Sequence, residues 1–270
     1  MPPFREYKFL LSRRISQISI MLLFAVGNLL GWHMLRGNLS TSRVLGVLPL
    51  TDPFAVLQIF AARQFVSWES LLGALIIILF FALIAGRSFC SWVCPMNMVT
   101  DTANWFRKKI GLAVSGKSPV ISRKTRYWVI GMSLAVSLAT GIAAFEWISP
   151  ISMLHRGMIF GMGMGWILVL AVFFFDLFVQ GDGFCGHVCP LGGFHSLISR
   201  FSLIRIRHRK EKCTLCMKCL EICPEQQVLP MIGKVSSAVT SGECTNCGRC
   251  IEVCRDHAMK FGIRFSPENP

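Results

Sequence analysis

Apolar residues gather along this chain in four long blocks separated by polar, basic stretches. The blocks are Ile15–Leu35, Ser70–Gly86, Tyr127–Ile148 and Gly157–Val179. As helices, each is long enough for a bilayer core of about 30 Å. Any one of them also reads as the core helix of a soluble protein. Four in one short chain predict a bundle of transmembrane helices. Each pair of blocks is joined by an amphipathic, proline-containing segment, LTDPFAVLQIF (Leu50–Phe60) and WISPISMLHRG (Trp147–Gly157). Both are too short to span, and they predict interfacial or re-entrant helices.

The second block runs into FCSWVCP (Phe89–Pro95) and the fourth into FCGHVCP (Phe184–Pro190). The chain therefore reads as a two-fold internal repeat of span, outer segment, span and F-C-x-x-V-C-P. Both halves start on the same side, so the expected pseudo-axis lies along the membrane normal. GMGMGW (Gly161–Trp166) is expected to let helices approach closely. The expected core is an all-α membrane bundle of four transmembrane helices over residues 15–200.

Composition agrees: 53% of the 270 residues are hydrophobic and the mean hydropathy is +0.55, too apolar for one soluble domain. The net charge of +14 is distributed by side. Residues 1–14 carry four Lys and Arg, 36–69 three, 87–126 eight, 149–156 one, and 180–270 twelve. The positive-inside rule puts both termini and the middle loop in the cytoplasm. Basic residues beside apolar blocks point to anionic lipid and not to nucleic acid. SRRIS (Ser12–Ser16) reads as charge at the start of the first span; no A-x-A-like cleavage site follows it.

Past Phe201 the composition changes. IRIRHRKEK (Ile204–Lys212) reads as part of a basic juxtamembrane linker, 201–212, against anionic headgroups. Residues 213–270 read as a separate small α+β domain of the two-cluster bacterial ferredoxin kind, on the cytoplasmic side. Cys213, Cys216, Cys219 and Cys223 precede Pro224 in the spacing C-x₂-C-x₂-C-x₃-C-P, and Cys244, Cys247, Cys250 and Cys254 repeat it with Arg255 in the proline's place. In that pattern three thiolates wrap three irons of a cubane and the fourth cysteine reaches to the other cluster. The expected ligands are thus Cys213, Cys216, Cys219 and Cys254 for one [4Fe–4S] cluster. Cys244, Cys247, Cys250 and Cys223 would hold the other. Zinc sites pair two C-x₂-C knuckles instead, and disulfides are disfavoured in the cytoplasm. Arg255 puts positive charge beside a cluster and is expected to raise its potential. No G-x-G-x-x-G follows a strand and no C-x-x-C-H occurs, so neither a nicotinamide site nor covalent haem is indicated.

Cys90, Cys94, Cys185 and Cys189 form two matched i,i+4 pairs, each on one helical face and each stopped by a proline. Symmetry would bring the pairs together at the inner surface. Three readings stay open: a third iron–sulfur cluster or another soft metal, two redox dithiols, or four buried structural cysteines. His187, inside the second motif, and His195, just after it, have no counterparts at the first and read as ordinary histidines.

These motifs, with PLTDP (Pro49–Pro53), DTANWFRKK (Asp101–Lys109), EWISPIS (Glu146–Ser152) and CPEQQVL (Cys223–Leu229), resemble the NapH family. Its members are membrane ferredoxin-type quinol dehydrogenase components of periplasmic nitrate reductase systems. The likeness covers nearly the whole chain. It implies a multi-pass protein of the bacterial inner membrane that oxidises quinol. Its implied partners are NapG, a periplasmic iron–sulfur protein, and a multihaem cytochrome c of the same system. Architecturally similar wider relatives imply an alternative, a cytoplasmic-facing copper reductase. A third reading is a redox-sensing or assembly factor using the C-x₃-C-P thiolates. The family reading places nitrate reduction outside and eight ferredoxin cysteines inside. Electrons therefore either cross by a further cofactor or leave quinol on the outer side.

A quinol site needs an apolar slot and a proton acceptor. Asp52, Glu146 and His155, beside the outer proline segments, are the outer candidates. Asp101 and Asp176 are further acids, Asp176 within the fourth block. The competing role for Asp52 is to cap the helix after it.

Overall fold

The computed structural model describes residues 7–112, 121–161 and 163–264. Residues 1–6 of the N-terminal segment, Met162 of the glycine-rich stretch and residues 265–270 of the C-terminal domain lie outside them. In chain order the elements are α1 (Lys8–Leu29), β1 (Leu35–Gly37), β2 (Thr41–Val44), β3 (Leu48–Thr51), α2 (Pro53–Ala61) and α3 (Trp68–Leu79). A π-helical turn (Phe80–Ala85) and a 3₁₀ turn lead into α4 (Phe89–Trp92), followed by α5 (Met96–Lys109), α6 (Thr125–Thr140), α7 (Ala144–Ile148), α8 (Pro150–Phe160) and α9 (Gly165–Phe174). Two further π-helical turns, Phe175–Val179 and Phe184–Val188, precede α10 (Pro190–Ile198), β4 (Ile204–His208), α11 (Lys218–Ile222), β5 (Ser237–Ala238), α12 (Arg249–Glu252) and β6 (Met259–Ile263).

The fold is mostly helical. Two helical runs, Lys8–Leu29 and Trp68–Trp92, are long and apolar enough to cross a membrane; Gly165–Val179 is a shorter apolar helix. The third and fourth apolar blocks are broken. Gly141, left-handed at φ 71°, ends α6 as glycine commonly does at a helix C-terminus, and α7 starts afresh. Gly161 (φ 97°) and Gly163 (φ 45°) separate α8 from α9, so Gly157–Phe160 belongs to the helix before the break. The glycine-rich stretch thus interrupts the helical run between Phe160 and Gly165. Among the described residues of that stretch, only Gly165 makes the expected close approach, since a Cβ there would lie 3.3 Å from Met153 Cβ.

The chain divides into two compact units: Met1–Ser16, Leu79–Val93 and His195–Pro270 in one, Gln17–Ile78 and Cys94–Phe194 in the other. The second unit is not all-α. Strands β1, β2 and β3 form an antiparallel sheet in that order. Strands of three and four residues are too short to leave a readable alternation. Gly37 (φ 101°) turns the first corner, where a Cβ would come within 2.3 Å of Thr41 O.

The two outer segments form matching short helices. Asp52 Oδ1 accepts from Phe54 N at 3.0 Å and Ser149 Oγ from Ser152 N at 3.4 Å, each just before a proline at the first helical position. A capping side chain plus proline is a strong start signal. Gln58, fully buried on α2, accepts the N–H of Phe145 at 2.9 Å and ties α2 to α7.

In the other unit, β4 is the middle strand of the sheet β5–β4–β6, antiparallel to both. Residues 204–208, expected as linker, are therefore the centre of the ferredoxin sheet. Ile206 enters the core with Val228, Leu229, Ile232, Val239 and Met259. Arg205 is fully buried and donates to the carbonyls of Ser199, Ser202 and Ser241. Its charge serves chain carbonyls, not headgroups.

Candidate functional site

Two C-x-x-C-x-x-C loops occupy the ferredoxin part, and their backbones are alike. Leu215 and Met217 are left-handed in the first, Asn246 and Gly248 in the second. These are the same two positions counted from the first cysteine. Alternating right- and left-handed residues turn successive N–H groups inward, making a concavity suited to anions and to iron–sulfur clusters. A short helix follows each loop, α11 or α12, and the fourth cysteine lies just past it.

Each loop borders a cavity. One is lined by Cys213, Cys216, Cys219 and Cys254, the other by Cys223, Cys244, Cys247 and Cys250. The fourth cysteine of each run has crossed to the other loop's cavity, the exchange expected for two cubanes. Among the described residues, no three or more His, Cys, Asp or Glu side chains converge as one metal ion requires. A lone zinc wants four sulfurs about 2.3 Å from one point; four thiols spread around a cavity fit a multi-iron cluster. Ala258 N donates to Cys254 Sγ at 3.2 Å, the kind of N–H···S bond that steadies such a ligand. Burial pushes the Cys244 thiol up to about 11 and raises Cys250 as well, a cost that metal coordination would offset.

The second loop is fixed from two sides. Ser91 Oγ donates to Thr245 O at 2.7 Å and Trp92 Nε1 to Asn246 O at 3.0 Å. Asn246 Nδ2 donates to Ala85 O and Ile204 O. Arg87 and Glu225 form a buried ion pair at 2.8 Å. Phe9 on α1 covers Gly248, where a Cβ would come within 2.5 Å of its ring. The residues between and before Cys90 and Cys94 thus seat the cluster loop. Spacing gave no hint of this; Asn246 and Trp92 carry no pattern readable in one sequence.

At the paired motifs, α4 stops at Trp92, Pro95 precedes α5, and Cys189 is extended before Pro190 opens α10, as the prolines imply. Cys94 and Cys189 are buried, Cys90 and Cys185 partly so. Cys185 Sγ lies 3.8 Å from Thr100 Oγ1 on α5, the helix that starts after the first motif. Phe89, which opens the first motif, stacks on His195 beyond the second, with centroids 5.0 Å apart. Asp176 Oδ1 accepts from Phe184 N at 2.8 Å and so caps the second motif.

The outer candidates share one unit and one neighbourhood. Glu146 Oε1 accepts from Ser40 Oγ, from Ser152 Oγ at 2.9 Å and from Arg156 Nη2 at 3.3 Å. Burial pushes the Asp52 carboxyl up to about 7, opposed by the Phe54 amide and assisted by the charge of Glu146. His155, one turn from Ser152 on α8, is fully buried with its ring edge-on to Phe24 at 4.7 Å. Among the described residues, neither ring nitrogen has a hydrogen-bond partner. Burial and Arg156 lower its pKa to about 4, which keeps the imidazole neutral.

The family model described as a 4Fe-4S binding domain matches residues 66–113 and 159–212, and one described as a 4Fe-4S dicluster domain matches 205–255. Ferredoxin-type protein NapH of Haemophilus influenzae is 43% identical over 96% of this chain and 91% of its own. The chain belongs to this family of ferredoxin-type proteins. The family also takes in the methylamine utilization ferredoxin-type protein MauN of Methylorubrum extorquens, 42% identical over 88% of this chain and 83% of its own. NapH of Escherichia coli is 39% identical over 83% of this chain and 78% of its own. No solved structure matches. The chain is therefore an iron–sulfur electron-transfer protein of the NapH and MauN family. The first family model falls on the two C-x₃-C-P segments, one match to each half, rather than on the eight ferredoxin cysteines.

Proposed function

We propose that the protein is the membrane-bound subunit that oxidises quinol and passes its electrons, with a NapG-type partner and a multihaem cytochrome c, to periplasmic nitrate reduction. The observation that carries the redox reading is the crossed distribution of eight cysteines between two cavities. In this reading Cys213, Cys216, Cys219 and Cys254 hold one [4Fe–4S] cluster and Cys244, Cys247, Cys250 and Cys223 the second. Cys90, Cys94, Cys185 and Cys189 are the candidate ligands of a third iron–sulfur cluster or of another soft metal. Each cluster, when bound, supplies a one-electron couple.

Four spans in the bacterial inner membrane, with both termini cytoplasmic, complete the proposal. Exposed tryptophans support it. Trp32, Trp68 and Trp147 stand in or beside the outer loops, Trp105 and Trp128 at the middle one, the placement of interfacial aromatic belts. Quinol would enter beside Asp52, Glu146 and His155. Neutral His155 can donate to one quinol oxygen or accept from it, and its orphaned nitrogens cost about 1–3 kcal/mol until something does pair with them. Asp52, neutral or ionised near pH 7, suits a proton acceptor.

Nitrate as the final acceptor is carried by likeness to NapH. The MauN relatives, named for methylamine utilization, match equally well and favour a second reading in which the same quinol chemistry serves methylamine metabolism. Liposomes with a menaquinol analogue test the core claim. Wild type should show cluster reduction by electron paramagnetic resonance, and Asp52→Asn and Glu146→Gln should each slow it tenfold or more. Wild-type rates in both variants would remove the outer site.

A further inference from the structure

The two cavities differ in their surroundings. The second loop has Thr245 and Asn246 bonded to Ser91 and Trp92, and Gly248 covered by Phe9. Its cysteines 244 and 250 are buried. Among the described residues of its unit, the first loop has no such cover. Cys216 is exposed, and beside it stand the exposed apolar side chains Leu215 (53%) and Met217 (42%). Leu215 lies against Gly233, where a Cβ would come within 2.0 Å of Leu215 Cδ2. That contact brings exposed Val235 (58%) to the same rim. Val235 O also meets His208 Nδ1 at 2.9 Å, and His208 lines the first cavity.

Around this apolar rim the charge is basic. Lys212, Lys218 and Lys234 are all exposed and adjoin Cys213, Met217 and Val235 in sequence, and Arg255 follows the ligand position Cys254. The carboxylates nearby are fewer and partly engaged. Glu211 accepts from Ser236 Oγ and Asp256 from Thr214 Oγ1, while Glu221 stands one turn beyond Lys218. An apolar centre with a basic rim over a redox centre is the complement of a small acidic redox protein.

We propose that this rim docks an acidic, soluble one-electron carrier of the same compartment, and that the Cys213 cavity is the port of exchange. The inference rests on the cluster reading above. One electron passes between the carrier's centre and the cluster; no bond forms and no proton need move. At the second cavity, by contrast, Trp92 holds the loop at Asn246 and Phe9 covers Gly248.

The test uses the full chain in zwitterionic-lipid nanodiscs and an acidic flavodoxin as probe, with the dissociation constant read from flavin fluorescence anisotropy. Wild type should bind, and more weakly as salt rises. Lys212→Glu, Lys218→Glu and Lys234→Glu together should raise the dissociation constant about tenfold or more and flatten the salt dependence, because rim charges act by steering. Reversal at Lys108 and Lys109, a net-charge control, should change it less than about twofold on the same principle. Iron and sulfide are assayed in every preparation. A fully clustered triple variant that binds like wild type overturns the docking face alone. Loss of binding in the control as well attributes the effect to net charge and overturns it too. If anionic nanodiscs abolish binding by wild type, headgroups cover the rim and the proposal fails. A preparation without iron and sulfide overturns the cluster reading and this inference together.

Discussion

Gly248 is constrained twice, by a left-handed φ of 76° and by Phe9 against its Cα. The two constraints separate by mutation. Gly248→Ala should destabilise the ferredoxin unit by about 2–4 kcal/mol, combining backbone strain with overpacking. Adding Phe9→Gly, which takes away the Cβ at 2.9 Å along with the ring, removes the clash but not the strain, so roughly half the loss should return. Chemical unfolding followed by loss of cluster absorbance measures both. Full recovery in the double variant would show that the φ carries no cost. Leu215 and Met217 hold the corresponding left-handed positions without being glycine. A loop built around a bound cluster tolerates that strain.

Among the elements, α2 and α8 make the clearest pair: capping side chain, proline, short amphipathic helix. Asp52 does the capping and is also buried, and burial dominates its ionisation, with the folded value near 7 against 3.8 when exposed. Between those values the folded state holds a proton that the unfolded state has released, so stability falls as pH rises from about 4 to 7 and is level above. Asp52→Asn keeps the cap and removes the titration. The melting-temperature difference, wild type minus variant, should therefore decline across that window. A constant difference would mean that Asp52 ionises normally. The short helices were legible because caps and prolines are local signals. So was the sharing of the eight cysteines between two cavities, which their spacing encodes directly. Strands β1–β3 and the break at Gly161 were not, since three-residue strands show no period and an apolar run hides a left-handed glycine. Strand β4 was misread because its arginines look solvent-facing; Arg205 is buried on carbonyls that lie apart in sequence.

For the molecule as a whole, the organising feature is the repeat. A π-helical turn precedes F-C in both halves, Phe80–Ala85 in one and Phe175–Val179 in the other. Such turns recur at functional sites. The same family model matches both segments. If the halves contribute to one centre, their cysteines are not independent. Wild type should then carry about twelve irons, and Cys90→Ser or Cys185→Ser should each lose the same four, leaving about eight. The double variant should lose no more than either single one, because a shared site can be emptied only once. Two separate dithiols would give about eight irons in all four proteins. Additive losses would assign each half a metal of its own. Iron and sulfide quantitation on the four purified chains distinguishes these outcomes without reference to any electron acceptor, and so tests the repeat's purpose apart from the choice between nitrate and methylamine metabolism.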